Sequence, residues 1–96
     1  MGLFNSIKGL FNYSQVNQST EHESTDYQSF SIIPAPVAEQ GQYRVAGYIR
    51  KSIDDEQREH RFIRSDVCPS EQQAVELTIS KCQTLIDQMG DKLFEQ

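Results

Sequence analysis

The sequence predicts a small α+β domain in which one C-terminal amphipathic helix packs on one face of a three-stranded antiparallel sheet, in the order β-β-β-α. Segments with alternating apolar and polar residues lie between residues 27 and 66, and short polar turns separate them. After residue 70 the apolar residues recur at helical spacing. A chain of 96 residues has room for one such domain.

The first predicted strand is the segment YQSFSII, because aromatic and β-branched residues favour strands. Pro34 and Pro36 follow it and interrupt regular pairing, which predicts a sheet edge or a bend. The segment AEQGQ then supplies a turn, since Gly41 adopts a positive φ without strain.

The second and third strands are predicted to form a hairpin of QYRVAGYIRKSI and QREHRFIRSD, joined by an acidic turn. In the first of these strands the pleat divides the side chains between two faces: Tyr43, Val45, Gly47 and Ile49 on one, and Arg44, Ala46, Tyr48 and Arg50 on the other. Phe62 and Ile63 are adjacent and face opposite ways. The sequence leaves open which of these two enters the core.

The helix is predicted to run from about residue 71 to residue 89. Ser70 stands at the N-cap position with Gln73 three residues later, and Gly90 is a suitable C-terminal residue. The predicted buried stripe contains Val75, Ile79, Cys82, Ile86, Met89 and Leu93, widened by Thr78 and Leu85.

Composition divides the chain into an amphipathic segment (1–13), a flexible polar tether (14–26) and a folded domain (27–96). On a helical wheel the first segment has an apolar face made of Leu3, Phe4, Ile7, Leu10 and Phe11. Lys8 is its single basic residue, whereas membrane-surface helices usually carry several. Docking on a partner, resting on a membrane surface and folding back over the sheet therefore remain alternatives.

The charge distribution suggests a second candidate interaction surface on the hairpin. The chain carries a net charge of −5, which opposes free nucleic-acid binding. Six of the nine basic residues nevertheless fall between residues 44 and 64. The candidate surface residues are Arg44, Tyr48, Arg50, Arg61 and Arg64. They form either the solvent face of a one-sided sheet or a contact site for a partner or for phosphates.

No motif for catalysis is present: the sequence lacks a nucleophile elbow, a glycine-rich phosphate loop and an H-E-x-x-H pair. Cys68 and Cys82 do not have zinc-binding spacing and are too few for a disulfide scaffold. We therefore expect no enzyme activity, no cofactor and no metal, and a location in the reducing cytoplasm.

Several short motifs together resemble a known family. The opening MGLF, the segments IIPAP, GQYRVAGYIRK and HRFIRSD, and the helical AVE, ID and GDKLF are similar to the small bacterial HlyU-like family. The resemblance covers residues 1–5 and about 30–95. It implies a bacterial cytoplasmic protein described as a transcriptional activator, and it carries over no catalytic or ligand residues.

Together these observations favour a non-enzymatic regulatory protein that acts through contacts with an unknown protein partner. Direct DNA contact by the hairpin is the weaker version of this hypothesis, and self-association into a homodimer is a further expectation for a one-sided sheet. The alternative function is a peripheral membrane or complex adaptor, tethered through residues 1–13.

Overall fold

One antiparallel sheet with a long helix across one face makes up the described part of the chain, residues 20–95 of a computed structural model. The elements are β1 Thr25–Tyr27, β2 Phe30–Pro34, β3 Val37–Glu39, β4 Gln42–Ile53, β5 Glu56–Cys68, α1 Glu71–Met89 and a 3-10 helix Gly90–Glu95. The predicted α+β class, the antiparallel sheet and the C-terminal helix are confirmed. The predicted strand count is wrong, because the sheet has five strands and not three.

One additional strand arises because β2 and β3 are two parts of one interrupted strand. Both pair with the same edge of β4 in a single continuous register, Pro34 opposite Gly47 and Val37 opposite Arg44. Between them the Ala35 N–H still donates to the Ala46 carbonyl oxygen at 2.8 Å. Pro36 has no N–H to donate, so the ladder breaks there. The predicted interruption at the prolines is therefore present, but strand pairing resumes beyond it.

The other additional strand, β1, lies within a segment that the sequence predicts as one strand. Gln28 and Ser29 both have positive φ, 51° and 72°, and form a two-residue turn that pairs Tyr27 with Phe30. Neither residue is Gly or Asn, which are the usual signals for such a turn. β1 begins at Thr25, inside the segment predicted as the tether.

The β4–β5 hairpin has the predicted position and a longer second strand. Its turn residues Asp54 and Asp55 have φ values of 52° and 65°, and Ile53 pairs with Glu56. The ladder contains a bulge in which residues 64–66 of β5 lie opposite Val45 alone. Two extra residues keep the two strands in phase, so each strand presents the same face to the helix on both sides of the bulge.

The predicted helix bounds and cap are confirmed. The Ser70 side-chain oxygen accepts a hydrogen bond from the Gln73 backbone N–H at 3.2 Å. At the other end Gly90 has a φ of 55°, and its N–H bonds to the Ile86 carbonyl. The chain then continues directly into the 3-10 helix, whose Leu93 is buried.

The core lies between α1 and one face of the sheet, and its composition corrects the predicted stripe. The buried row of α1 is Ala74, Thr78, Cys82 and Ile86, while Val75, Ile79 and Met89 are only partly buried. A row at every fourth position faces the sheet, and its small side chains let the helix approach the strands closely. Phe62 is the core residue of the adjacent pair, with 0% exposure against 48% for Ile63.

Candidate interaction surface

The face of the sheet opposite α1, here called the outer face, is not covered by another described element. Within residues 20–95, α1 packs on β2, β4 and β5 from one side. Strand alternation and register place the following side chains on the outer face: Ile33, Arg44, Ala46, Tyr48, Arg50, Glu59, Arg61, Ile63 and Val67. This face therefore contains four of the five hairpin residues that the sequence indicates.

Tyr48 stands at the centre of the outer face between two guanidinium groups. The Arg50 and Arg61 Cζ atoms lie 5.3 Å and 5.0 Å from the centroid of its ring. Arg61 Nη1 also donates to the Tyr48 hydroxyl at 3.3 Å. Cations over an aromatic ring are attracted by its negative face. The three side chains therefore form one layer at the middle of the surface.

Two of the outer-face arginines are already neutralised by carboxylates. Arg44 makes a two-point contact with Glu39, with Nε–Oε2 and Nη2–Oε1 distances of 2.8 Å and 2.7 Å. Arg50 Nε donates to Glu59 Oε1 at 2.6 Å. The hydrogen bond from Arg44 lowers the pKa of Glu39, and the hydrogen bond to Glu59 raises the pKa of Arg50. The basic character seen in the sequence is thus largely compensated within the sheet.

Apolar side chains extend the outer face along β5. Ile63 is 48% exposed and Val67 is 40% exposed. Ala46, which pairs with Ile63, is fully buried in the same face, and Ile33 is buried as well. An aromatic residue, an arginine and exposed aliphatic side chains thus lie together, and this is the composition of energetically important protein contacts.

Arg64 is the exception among the predicted hairpin residues. Its guanidinium lies over the Phe62 ring, with Cζ 4.3 Å from the centroid, on the helix side of the sheet. There it lines a groove between β5 and α1 with Leu77, Lys81 and Leu85. The structure therefore brings Arg44, Tyr48, Arg50 and Arg61 together and separates Arg64 from them. The other predicted surface, Leu3, Phe4, Ile7, Leu10 and Phe11, lies outside the described residues.

The carboxylates that neutralise this surface are Glu39 and Glu59. The sequence shows Glu59 among the acids of the hairpin without assigning it a partner, and it gives Glu39 no role. The length of the hairpin turn predicts the partner of Glu59. Pairing of Ile53 with Glu56 across a two-residue turn puts Arg50 opposite Glu59. Glu39 lies diagonally from Arg44 across the interrupted strand, so its role depends on β3, which the sequence did not predict.

Polar contacts connect the N-terminal end of the described chain to α1. His22 Nε2 lies 2.9 Å from Glu71 Oε2, and the Tyr27 hydroxyl donates to Asp87. Residues 20–95 contain no cluster of three or more His, Cys, Asp or Glu side chains suited to a metal. Burial raises the pKa of the Cys82 thiol to about 12, which disfavours the reactive thiolate. In the same range no helix is both long and apolar enough to cross a membrane.

Comparison with known proteins shows a match to a protein family. The model of the family described as "Transcriptional activator HlyU" matches residues 4–94, nearly the whole chain. The match includes β1 to β5, α1 and most of the 3-10 helix. No curated protein matches the chain, and no solved structure does.

Proposed function

Because the chain belongs to the family described as transcriptional activator HlyU, we propose that it regulates transcription in the bacterial cytoplasm through protein–protein contacts of the outer face. The family is one of transcriptional regulators rather than of enzymes. The mechanism proposed here is binding of a protein partner, with no chemical step carried out by this chain.

The observation that carries this proposal is the state of the outer-face arginines. Arg44 and Arg50 are engaged by Glu39 and Glu59, at N–O distances of 2.6–2.8 Å. A phosphate backbone would have to displace these carboxylates, whereas a protein partner can use the ion pairs as a polar rim. Tyr48 and the exposed aliphatic residues then provide the apolar centre of the contact.

Direct DNA binding is the less favoured mechanism. Helix α1 carries Lys81 as its one basic residue, against Glu71, Glu76 and Asp87. An acidic helix is unsuited to a major groove, because phosphates run along both sides of the groove. Together with the net charge of −5, this leaves the hairpin as the only described element with a cluster of arginines to offer DNA.

The regulatory proposal is tested by complementation of a deletion strain, with transcript profiles as the readout. Wild type and the control variant Gln72→Ser/Gln88→Ser, at two exposed positions of α1, should restore the wild-type profile. Tyr48→Ser/Val67→Ser should behave like the deletion while its circular dichroism spectrum stays unchanged. Restoration by both variants would contradict a role for the outer face.

DNA binding is tested separately with labelled duplexes from the affected promoters. Fluorescence anisotropy at low salt should show no binding by the purified chain. Binding that weakens steeply with added salt, and that is lost in both Arg44→Ala and Arg61→Ala, would replace the protein-contact mechanism with direct DNA contact.

A second candidate function is that of a peripheral membrane or complex adaptor. It is supported by the apolar face that Leu3, Phe4, Ile7, Leu10 and Phe11 form on a helical wheel. Co-sedimentation with anionic vesicles compares the wild type with a chain lacking residues 1–13 and with the full-length variant Phe4→Ser/Phe11→Ser. Equal sedimentation of all three would exclude the membrane version.

A further inference from the structure

Strand β5 is a long edge strand whose second side carries no partner in the described chain. It runs from Glu56 to Cys68 and pairs with β4 alone among residues 20–95. An unpaired edge of this length presents a row of free N–H and C=O groups to another strand. At the opposite edge of the sheet, β1 has only three residues. The sheet therefore offers one extended edge for pairing.

The turn determines which residues of β5 present their backbone to this free edge. Ile53 and Glu56 close a two-residue turn, so the Glu56 N–H bonds to the Ile53 carbonyl. Bonded and non-bonded pairs alternate along an antiparallel ladder. The free backbone groups up to the bulge therefore belong to Gln57, Glu59, Arg61 and Ile63. In agreement, the Ile63 carbonyl accepts a hydrogen bond from the side chain of Arg64, whose Nη1 lies 3.3 Å away.

We propose that β5 pairs antiparallel with β5 of a second copy of the chain, about a two-fold axis at His60. Only odd-numbered residues of this stretch have free backbone groups, so each must face an odd-numbered residue of the other copy. An axis at His60 meets this condition and puts Glu59 opposite Arg61 and Gln57 opposite Ile63. The two sheets become one continuous antiparallel sheet, with both helices on the same side.

Charge selects this register over its neighbours. An axis at Glu59 would place the two Glu59 carboxylates face to face, and an axis at Arg61 would do the same with two guanidinium groups. The axis at His60 instead makes two symmetry-related Glu59–Arg61 pairs. Like charges directly opposite each other destabilise a strand pair and opposite charges stabilise it. Charged residues on an edge usually block pairing, but this order of charges is self-complementary.

The existing contacts of both residues suit these pairs. On the outer face no carboxylate of the described residues lies within 4.0 Å of the Arg61 guanidinium, which contacts Tyr48. Glu59 already accepts from Arg50. Pairing would align Arg50 and Glu59 of one copy with Arg61 and Tyr48 of the other, in one row that crosses the interface between the two copies. Arg61 would thereby gain the carboxylate that it lacks in the single chain.

The helix-side residues of β5 are also complementary in this register. Arg58 comes opposite Phe62, and at the end of the regular ladder Glu56 comes next to Arg64, the first residue of the bulge. In the single chain Arg58 Nη2 contacts Glu56 Oε1 at 3.0 Å, while Arg64 covers Phe62. The same types of contact are thus reproduced between copies. The bulge at residues 64–66 ends the regular ladder, and the two-fold axis closes the assembly as a dimer.

Sedimentation equilibrium of the full chain tests the charge pairing. The wild type should be a dimer at low salt, and the dimer should weaken as salt rises. Glu59→Arg and Arg61→Glu should each be monomeric, because each sets like charges opposite one another. The double variant Glu59→Arg/Arg61→Glu should recover the dimer, and Glu76→Arg on α1 controls for the change in net charge. A wild type that stays monomeric at millimolar concentration would overturn the proposal.

Cysteine cross-linking tests the register and does not depend on the charges. Opposed residues of a non-bonded antiparallel pair have Cα atoms about 4.5 Å apart, within the range of a disulfide. His60→Cys should therefore form a covalent dimer under a mild oxidant. Arg58→Cys is the matched control, since its two copies would be four residues out of register, roughly 13 Å apart. Equal cross-linking of both variants, or none in His60→Cys, would overturn the axis at His60.

Discussion

Gly47 and Thr78 meet where α1 crosses the sheet. A β-carbon built at residue 47 would stand 3.2 Å from Thr78 Cγ2 and 2.5 Å from the Ile33 carbonyl oxygen. Thr78 is fully buried, and its hydroxyl is satisfied by the Ala74 carbonyl at 2.7 Å. The missing side chain at residue 47 is therefore what lets a helix with a row of small residues lie directly on β4.

Gly47→Ala should destabilise the fold by about 1–3 kcal/mol, the range found when a packed core is overfilled. The cause is that the added methyl group meets a backbone oxygen, which cannot rotate away as a side chain can. Urea unfolding followed by circular dichroism measures the change. Ser52→Ala, at an exposed position of the same strand, is the control and should stay within about 0.5 kcal/mol of wild type. An unchanged midpoint for Gly47→Ala would show that the sheet can shift.

Ser70→Ala should cost about 1 kcal/mol, the usual effect of removing an N-cap side chain. The Ser70 oxygen accepts the Gln73 N–H at 3.2 Å, and this donor has no partner within the first turn of the helix. Ser70→Asp should retain most of the stability, since aspartate caps equally well. The same urea titration compares the three chains. Equal loss in both variants would mean that the cap bond is not the relevant contact.

The parts of the fold that the sequence predicts correctly are those with strong local patterns. β4 alternates regularly, and α1 has a capping serine and a terminal glycine, so their bounds follow from nearby residues alone. The turn at Gln28 and Ser29 has no such signal, because neither residue is a usual former of a turn with two positive φ values. Nor does periodicity distinguish Ala74 from Val75 on the helix, because hydrophobicity favours the larger residue while close packing of the helix on the sheet favours the smaller.

The same distinction applies to the interaction surface. Alternation places Arg44, Tyr48 and Arg50 on one face of β4, and the structure has them there. The predicted surface contains both Arg61 and Arg64. These residues are three positions apart, which puts them on opposite faces of a strand. The neutralising carboxylates depend on tertiary register, which composition does not contain. This is why the hairpin has a basic composition, although carboxylates compensate most of its positive charge in the fold.

Glu39→Gln should make the folded chain less sensitive to acid. The hydrogen bond from Arg44 lowers the pKa of Glu39 below its ordinary value of 4.5. A lowered pKa stabilises the fold above pH 4.5, and this contribution is lost as pH falls through the lower, folded-state pKa. The drop in Tm between pH 7 and pH 3 should therefore be smaller in Glu39→Gln than in wild type. The control is the same substitution at an exposed carboxylate, Glu95→Gln, which should leave the drop in Tm unchanged. An equal change in both variants would contradict the role of the Arg44–Glu39 contact.

Tyr27 should ionise at a higher pH than an ordinary tyrosine. Its hydroxyl donates to Asp87 Oδ1 at 2.8 Å, and this bond raises the pKa of Tyr27 above 10. A raised pKa stabilises the fold below pH 10, and the contribution disappears as pH rises through the folded-state pKa. The difference in phenolate absorbance between wild type and Tyr27→Phe isolates this titration. Asp87→Asn should move its midpoint back towards 10, and an unmoved midpoint would contradict the pairing.

Cys82 should resist alkylation in the folded chain and react readily once the chain unfolds. Burial raises the pKa of its thiol from 9.0 to about 12. A difference of about 3 units reduces the thiolate fraction at pH 8 by about a thousandfold, and the thiolate is the species that reacts. Iodoacetamide labelling at pH 8, read by peptide mass spectrometry with and without urea, measures this protection. Because the pKa is raised in the folded chain, the neutral thiol contributes to the stability of the fold. This contribution is complete below pH 9 and declines towards pH 12. Rapid labelling without urea would show that α1 separates from the sheet under native conditions.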